Sequence, residues 1–329
     1  MLPNRPLSFQ DWYSNYGADF MKLSTGTCNT TLANYVGSPF DPLLCNDHVN
    51  CILEATNEAR KAHMSAAAIF LGMVPTLLSL IAPSLSQLAL LSARRPLLAL
   101  FLSSGSTVLF LDRLFRIESP REILTRTDGE RFIPRLKRQW AILFSVGEYL
   151  LAAIAAINAI WNSWQLGNKA VVVWKCELNF MPLIWVLGPP FIVMVVAIPF
   201  QFTTIAKFLR AQACVYSPLT VPEHVDSKRE PGAMWECMAR EITPAIRHPT
   251  IKLEEIPHAE TWAVFILNVG FCLAALQVLF GIGVLSSVLF VSVRDAIWVG
   301  LRYVVSTGVC RLLLALELEC MKSDRRSGD

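Results

Sequence analysis

Of 329 residues, 53% are hydrophobic and only 17% charged, against roughly 25% charged in an ordinary soluble domain. This excludes a soluble globular class, and a net charge of +3 is too small to point to nucleic acid. The expected fold is all-α, a polytopic transmembrane helix bundle of five or six spans with a small cysteine-bearing N-terminal segment, and its first partner is the lipid bilayer.

Residues 1–63 are polar and contain no apolar signal stretch, so the first span is expected to serve as the targeting signal. This extramembrane segment holds Cys28, Cys45, Cys51 and a glycosylation sequon at Asn29-Thr30-Thr31. Helical periodicity through Ile52, Leu53, Ala55 and Ala59 leads toward the first span. Cys45, His48 and Cys51 have a spacing that could supply three metal ligands, but a fourth is not apparent. Disulfide bonding is the favoured assignment, and neither metal nor cofactor is expected.

The block 64–111 begins with a span at 64–83, which Pro75 should kink. Arg94, Arg95 and Pro96 then divide an apolar run. Its second part, 96–111, is too short for a comfortable crossing and reads as a short second span or a hairpin returning to the same side. Residues 112–138 carry eight Lys and Arg against five Asp and Glu and are placed in the cytosol by the positive-inside rule.

Two spans are expected within 139–200. The first, at 140–161, has tryptophan at both ends and a single ionisable residue, Glu148. Ser145, Glu148, Ala152, Ala155 and Ala159 recur at helical spacing, a face of small side chains that should pack inside the bundle. A loop with Trp164, Trp174 and Cys176 leads to the second span, at about 180–200, where Gly188-Pro189-Pro190 should break or bend the helix. Residues 201–260 form a mixed-charge cytosolic loop in which His224, His248 and His258 lack ligand spacing and read as solvated.

The block 261–318 holds two more spans. At 262–283, Gly270, Ala274, Gln277 and Gly281 share one face, a small-residue packing seam with one amide placed to hydrogen-bond a neighbour. The last span, at about 297–316, contains Arg302 and Arg311. Lys322, Arg325 and Arg326 in the tail, 319–329, put the C-terminus in the cytosol, with Cys320 a juxtamembrane thiol.

These loop assignments leave only the first hundred residues open. If 96–111 crosses, there are six spans and a cytosolic N-terminus; if it is re-entrant, there are five and the N-terminus is luminal or extracellular. Arg60 and Lys61 favour the first case, the sequon and cysteines the second, which is preferred. A luminal N-terminus also gathers Cys28, Cys45, Cys51 and Cys176 in an oxidising compartment, where two disulfides can form in any of three connectivities.

The runs CNTTL, CNDHVNCILEATNEARKAHMSAAAIFLGMVPTLLSLIAP and ARRPLLALFLSSGS, within residues 28–106, resemble the front half of uncharacterised multi-pass integral membrane proteins of filamentous fungi. The carriers are Leu71-Gly72-Met73-Val74-Pro75-Thr76 and the segment from Arg94 through Leu100. Those proteins often have Gly-Ser-Pro where this chain has Gly105-Ser106-Thr107. The resemblance implies fungal origin and the family fold, and it brings no activity with it.

Glu148 and Arg311 lie at similar depths from the cytosolic ends of their spans and are expected to form an intramembrane ion pair. As a catalytic residue Glu148 is a weak candidate, and a structural pair is the favoured reading; Arg302 should snorkel. No nucleophile elbow, zinc-protease, P-loop or dinucleotide motif is present. The favoured function is therefore an accessory, scaffold or receptor-like membrane protein, in the plasma membrane or an endomembrane, with membrane or cytosolic protein partners. Two alternatives stay open: an intramembrane enzyme on a lipid-like or terpenoid substrate, using Glu148 as acid, and a small-molecule transporter. An apolar cavity beside Glu148 would favour the enzyme, a polar passage the transporter and tight packing the scaffold; tight packing is expected.

Overall fold

The computed structural model describes residues 8–110, 138–176, 178–202 and 261–321. Expectations for the basic loop before residue 138, for the loop with its three histidines and for the charged tail lie outside the described residues, as does the side chain of Cys320.

The N-terminal segment folds into a cap of short helices: α1 (Gly17–Lys22), a π-helical turn (Leu23–Thr27), α2 (Asn29–Gly37) and α3 (Pro42–Ala55). Asp41 starts α3 by accepting the Leu43 N–H at 2.9 Å, with Pro42 in the first turn where its missing donor costs nothing. Two disulfides tie the cap, Cys28–Cys51 within it and Cys45–Cys176 to the connection between two bundle helices. The four cysteines named from the sequence are thus paired in one of the three possible ways.

The periodicity that led toward the first span belongs to two helices. Thr56 and Asn57 are extended, and Asn57 caps the next helix by accepting the Ala59 N–H at 3.1 Å. That helix, α4 (Glu58–Ile81), starts six residues before the expected span and runs through Pro75 without a break. Close packing holds it there. A Cβ on Gly72 would meet the Ser286 Cβ at 2.8 Å, and Gly300 lies against Phe70 and Val74.

After α4 come two short helices, α5 (Leu85–Arg94) and α6 (Pro96–Ser106). Ser84 caps the first by accepting from the Gln87 N–H. Pro96 ends it, because a residue before proline is pushed out of the α region, and Arg95 sits at φ −131°, ψ 75°. α6 stops at Thr107, which adopts the left-handed conformation, φ 53°. The chain then passes beside its own starting point: Ser84 and Phe110 form a parallel β-bridge, and the Phe110 N–H donates to the Pro83 carbonyl at 2.9 Å. α5 and α6 thus fold back on each other as a helical hairpin with Arg95 at its tip.

The rest of the bundle is α7 (Arg138–Lys169), α8 (Met181–Phe202), α9 (Thr261–Ser286) and α10 (Val293–Met321). Strands β1 (Val171–Val172) and β2 (Val288–Leu289) pair antiparallel where α7 and α9 end, beneath the cap. Among the described residues four helical stretches are long and apolar enough to cross a membrane: Glu58–Ile81, Ile142–Lys169, Phe265–Ser286 and Val293–Leu318. Pro96–Ser106 and Met181–Ala197 are shorter apolar helices. The outside of the bundle is correspondingly apolar, with Leu80, Leu150, Ile157, Leu279 and Leu312 exposed. This is the surface of a multi-pass membrane protein.

Of the expected break or bend at Pro189 and Pro190, the break does not occur: α8 runs on through both residues. Pro189 removes the donor that would bond the Trp185 carbonyl four residues earlier. Gln277 of α9 supplies a replacement: its Nε2 donates to the Trp185 carbonyl at 3.1 Å and to the Thr107 carbonyl at 2.8 Å. Gly188 makes room, since a Cβ there would stand 2.7 Å from the Gln277 Cγ. Gly270 lies against Val196 and Gly281 against the Trp185 indole, while Ala274 is fully buried. A neighbouring side chain therefore repairs the proline defect, as bundle packing permits in a membrane.

Candidate functional site

The α7 face named from the sequence is buried throughout: Ser145, Glu148, Ala152, Ala155 and Ala159 all point into the bundle. The small side chains admit α6. A Cβ on Gly105 would stand 3.1 Å from the Ala155 Cβ. Toward the cap, α7 meets α10 through a polar ladder. Asn158 donates to the Ser306 hydroxyl at 2.8 Å and Asn162 to the Val299 carbonyl at 3.0 Å, while Ser163 and Tyr303 share a hydrogen bond of 2.7 Å. Thr307 donates to the Ser106 carbonyl at 2.8 Å, fixing the end of α6 to α10.

Away from the cap the same face carries Glu148, 13 residues or about 20 Å of helix from Trp161. Its partner is Arg95, at the tip of the α5–α6 hairpin. Arg95 Nη1 donates to Glu148 Oε2 at 2.8 Å and also to Glu317 of α10, and Nη2 donates to the Ser145 hydroxyl at 2.6 Å. The guanidinium lies over the Tyr149 ring, 5.1 Å from its centroid. Arg95 is 0% exposed, Glu148 2% and Glu317 1%, so one cation and two acids from three separate elements are closed in together.

The expected Glu148–Arg311 pair is not formed. Arg311 Nη1 donates instead to the Gln87 side-chain oxygen of α5, at 2.6 Å. Similar depth did not imply the same side of the helix, and the hairpin brings a nearer cation. Arg302, expected to snorkel, donates to the Gln165 side chain at 2.9 Å on an exposed face. Arg95 and Glu317 are the site residues that the sequence reading missed. Arg95 stood in what looked like a polar interruption, and Glu317 just beyond the assigned end of the last span. The available signal was charge balance: an acid at Glu148 depth needs a cation, and Arg95 lies between two apolar helices.

In the cap, the metal-like spacing around His48 is spent otherwise. Cys45 and Cys51 are disulfide-bonded, and no metal-holding group of His, Cys, Asp or Glu occurs among the described residues. The buried His48 ring is held at both nitrogens. Thr31 spends its hydroxyl proton on the Cys28 carbonyl, so Nδ1 donates to Thr31 at 2.9 Å and Nε2 accepts from Ser24 at 3.0 Å. Burial lowers the His48 pKa from 6.5 to about 4. The unfolded chain therefore takes up this proton first, and acid favours unfolding. Cap stability is expected to be full above about pH 6.5 and to fall as pH drops toward 4, by on the order of 3 kcal/mol. Protease cleavage within the cap, compared at pH 7 and 4.5, measures this, and His48→Gln should flatten the difference.

Compared with family models, with curated proteins and with solved structures, the chain matches none of them. Its class therefore rests on its own architecture, a helical multi-pass membrane protein with a disulfide-tied cap.

Proposed function

We propose that the chain is a non-catalytic membrane component, an accessory, scaffold or receptor-like protein that presents its cap to partners on one side of the membrane. The observation that carries this reading is the closure of Glu148: Arg95, Glu317 and Ser145 occupy its surroundings, and the cluster joins the hairpin, α7 and α10. A proton donor or coupling carboxylate would need access to a substrate or passage, whereas a structural cluster needs only closure.

The same reading has five spans, in which α4 with α5, then α7, α8, α9 and α10 cross and α6 is re-entrant. The parallel Ser84–Phe110 bridge supports it, since it sends the chain back in the direction of α5. The cap is then luminal or extracellular. Its two disulfides favour an oxidising compartment, and Asn29 is exposed in the first turn of α2, open to glycosylation. Arg60 and Lys61, which argued for the cytosol, are locally paired with Asp19 and Glu58, each at 2.7 Å.

Complementation tests the function. A variant with Arg95, Glu148 and Glu317 all replaced by Met should fold and restore the metabolite and lipid profile of a deletion strain. A folded variant that failed to do so would assign the acids a chemical role and overturn the scaffold reading. A glycosidase mobility shift present in the wild type and absent in Asn29→Gln tests the orientation.

A further inference from the structure

The exposed surface of the cap changes character along α3. Its outward stripe runs Leu43, Asp47, Asn50, Glu54, apolar at the first turn and polar or acidic beyond it. The preceding loop continues the apolar end. Across 36–43 Val36 is 50% exposed, Phe40 62% and Leu43 70%, and the single charged residue, Asp41, is occupied in capping α3. Three large apolar side chains at these exposures are unusual on a surface that meets only water.

Covalent structure fixes where this loop sits. Cys45, two residues after Leu43, is bonded to Cys176 with the Cα atoms 5.9 Å apart, and Cys176 lies five residues before α8 begins. In the same connection the exposed Trp174 donates its indole N–H to Ser287 at the end of α9, at 2.9 Å, a ring placed as tryptophans are at headgroup level. α4 marks the boundary independently. Its exposed positions change from Glu58, His63 and Ser65 to Ile69, Met73 and Leu77. Asn50, Leu53 and Glu54 of α3 share a cleft with Lys61, Ser65, Ala68 and Ile69 at that transition, so α3 lies at the level of the boundary.

We propose that loop 36–43 is a lipid anchor. Val36, Phe40 and Leu43 enter the boundary between headgroups and acyl chains of the cap-side leaflet, seating the cap on the bilayer as well as on the bundle. The proposal rests on the membrane-spanning reading of the helices. Its partner is the acyl region of phospholipid and not a charged headgroup, because the loop has no Lys or Arg.

The test uses the full chain in nanodiscs of neutral phospholipid, with a nitroxide attached to a ketone-bearing residue placed singly at positions 36, 43, 47 and 77, leaving the disulfides untouched. Collision rates with oxygen and with a water-soluble nickel chelate report depth. Positions 36 and 43 should favour oxygen, as position 77 on α4 does, while position 47 favours nickel. Adding anionic lipid should leave the values at 36 and 43 unchanged. Water-like values at both 36 and 43, with 77 lipid-like, would overturn the anchor and leave the spans intact. Water-like values at 77 as well would remove both readings.

Discussion

Replacing Arg95 by Met is expected to cost about 3–5 kcal/mol, because it strands two carboxyls inside the bundle with no cation to face them. Protein yield and the thermal unfolding midpoint in detergent should both collapse. Arg95→Lys should recover little, since an ammonium cannot reproduce two contacts from Nη1 together with a third from Nη2. Replacing all three charged residues by Met should return stability to near the wild-type value. The cluster is only half satisfied: Arg95 Nε, Glu148 Oε1 and Glu317 Oε2 have no hydrogen-bond partner among the described residues, so removing every charge relieves desolvation as well as attraction. A triple variant as unstable as Arg95→Met would show that the charges, and not the packing volume, hold the hairpin.

Phe290→Ala should detach the cap from the bundle at a cost of about 3–5 kcal/mol. Phe290 follows β2 and is 1% exposed. Its ring stands between cap and bundle, with centroid distances of 5.1 Å to Phe20, 5.3 Å to Trp12 and 6.4 Å to Phe9. Its backbone has φ 65°, a conformation a bulky residue keeps only where surrounding contacts compel it. Loss of the ring removes both the contact and the reason for that backbone. The spans do not depend on it, so the expected signature is selective. Limited proteolysis under non-reducing conditions should cut the cap while the bundle stays intact, and the Cys45–Cys176 bond should retain the cut fragment until reductant is added. A cap as protease-resistant as the wild type would contradict this account of the interface.

Long apolar stretches made much of the bundle legible. A span must satisfy its own backbone and cover about 30 Å with apolar side chains, so its sequence is conspicuous without knowledge of its neighbours. The buried face of α7 was legible for a similar reason, since small residues and one acid at helical spacing describe a single helix surface. The four cysteines could be named as disulfide candidates, but their pairing depended on where the connection after α7 returns.

The fates of Arg95 and Pro189 were settled by packing between elements. Pro96 stops α5 through purely local sterics, yet whether the arginine before it lies in headgroups or inside protein depends on α7 and α10 closing around the hairpin. Likewise a double proline is a break in isolation and a continuous helix beside Gln277. Residue order was enough to say which segments leave water, because hydrophobic transfer is summed residue by residue along one helix. Which polar groups meet was left to the assembled bundle, because a hydrogen bond or ion pair requires two elements placed to within a few tenths of an ångström.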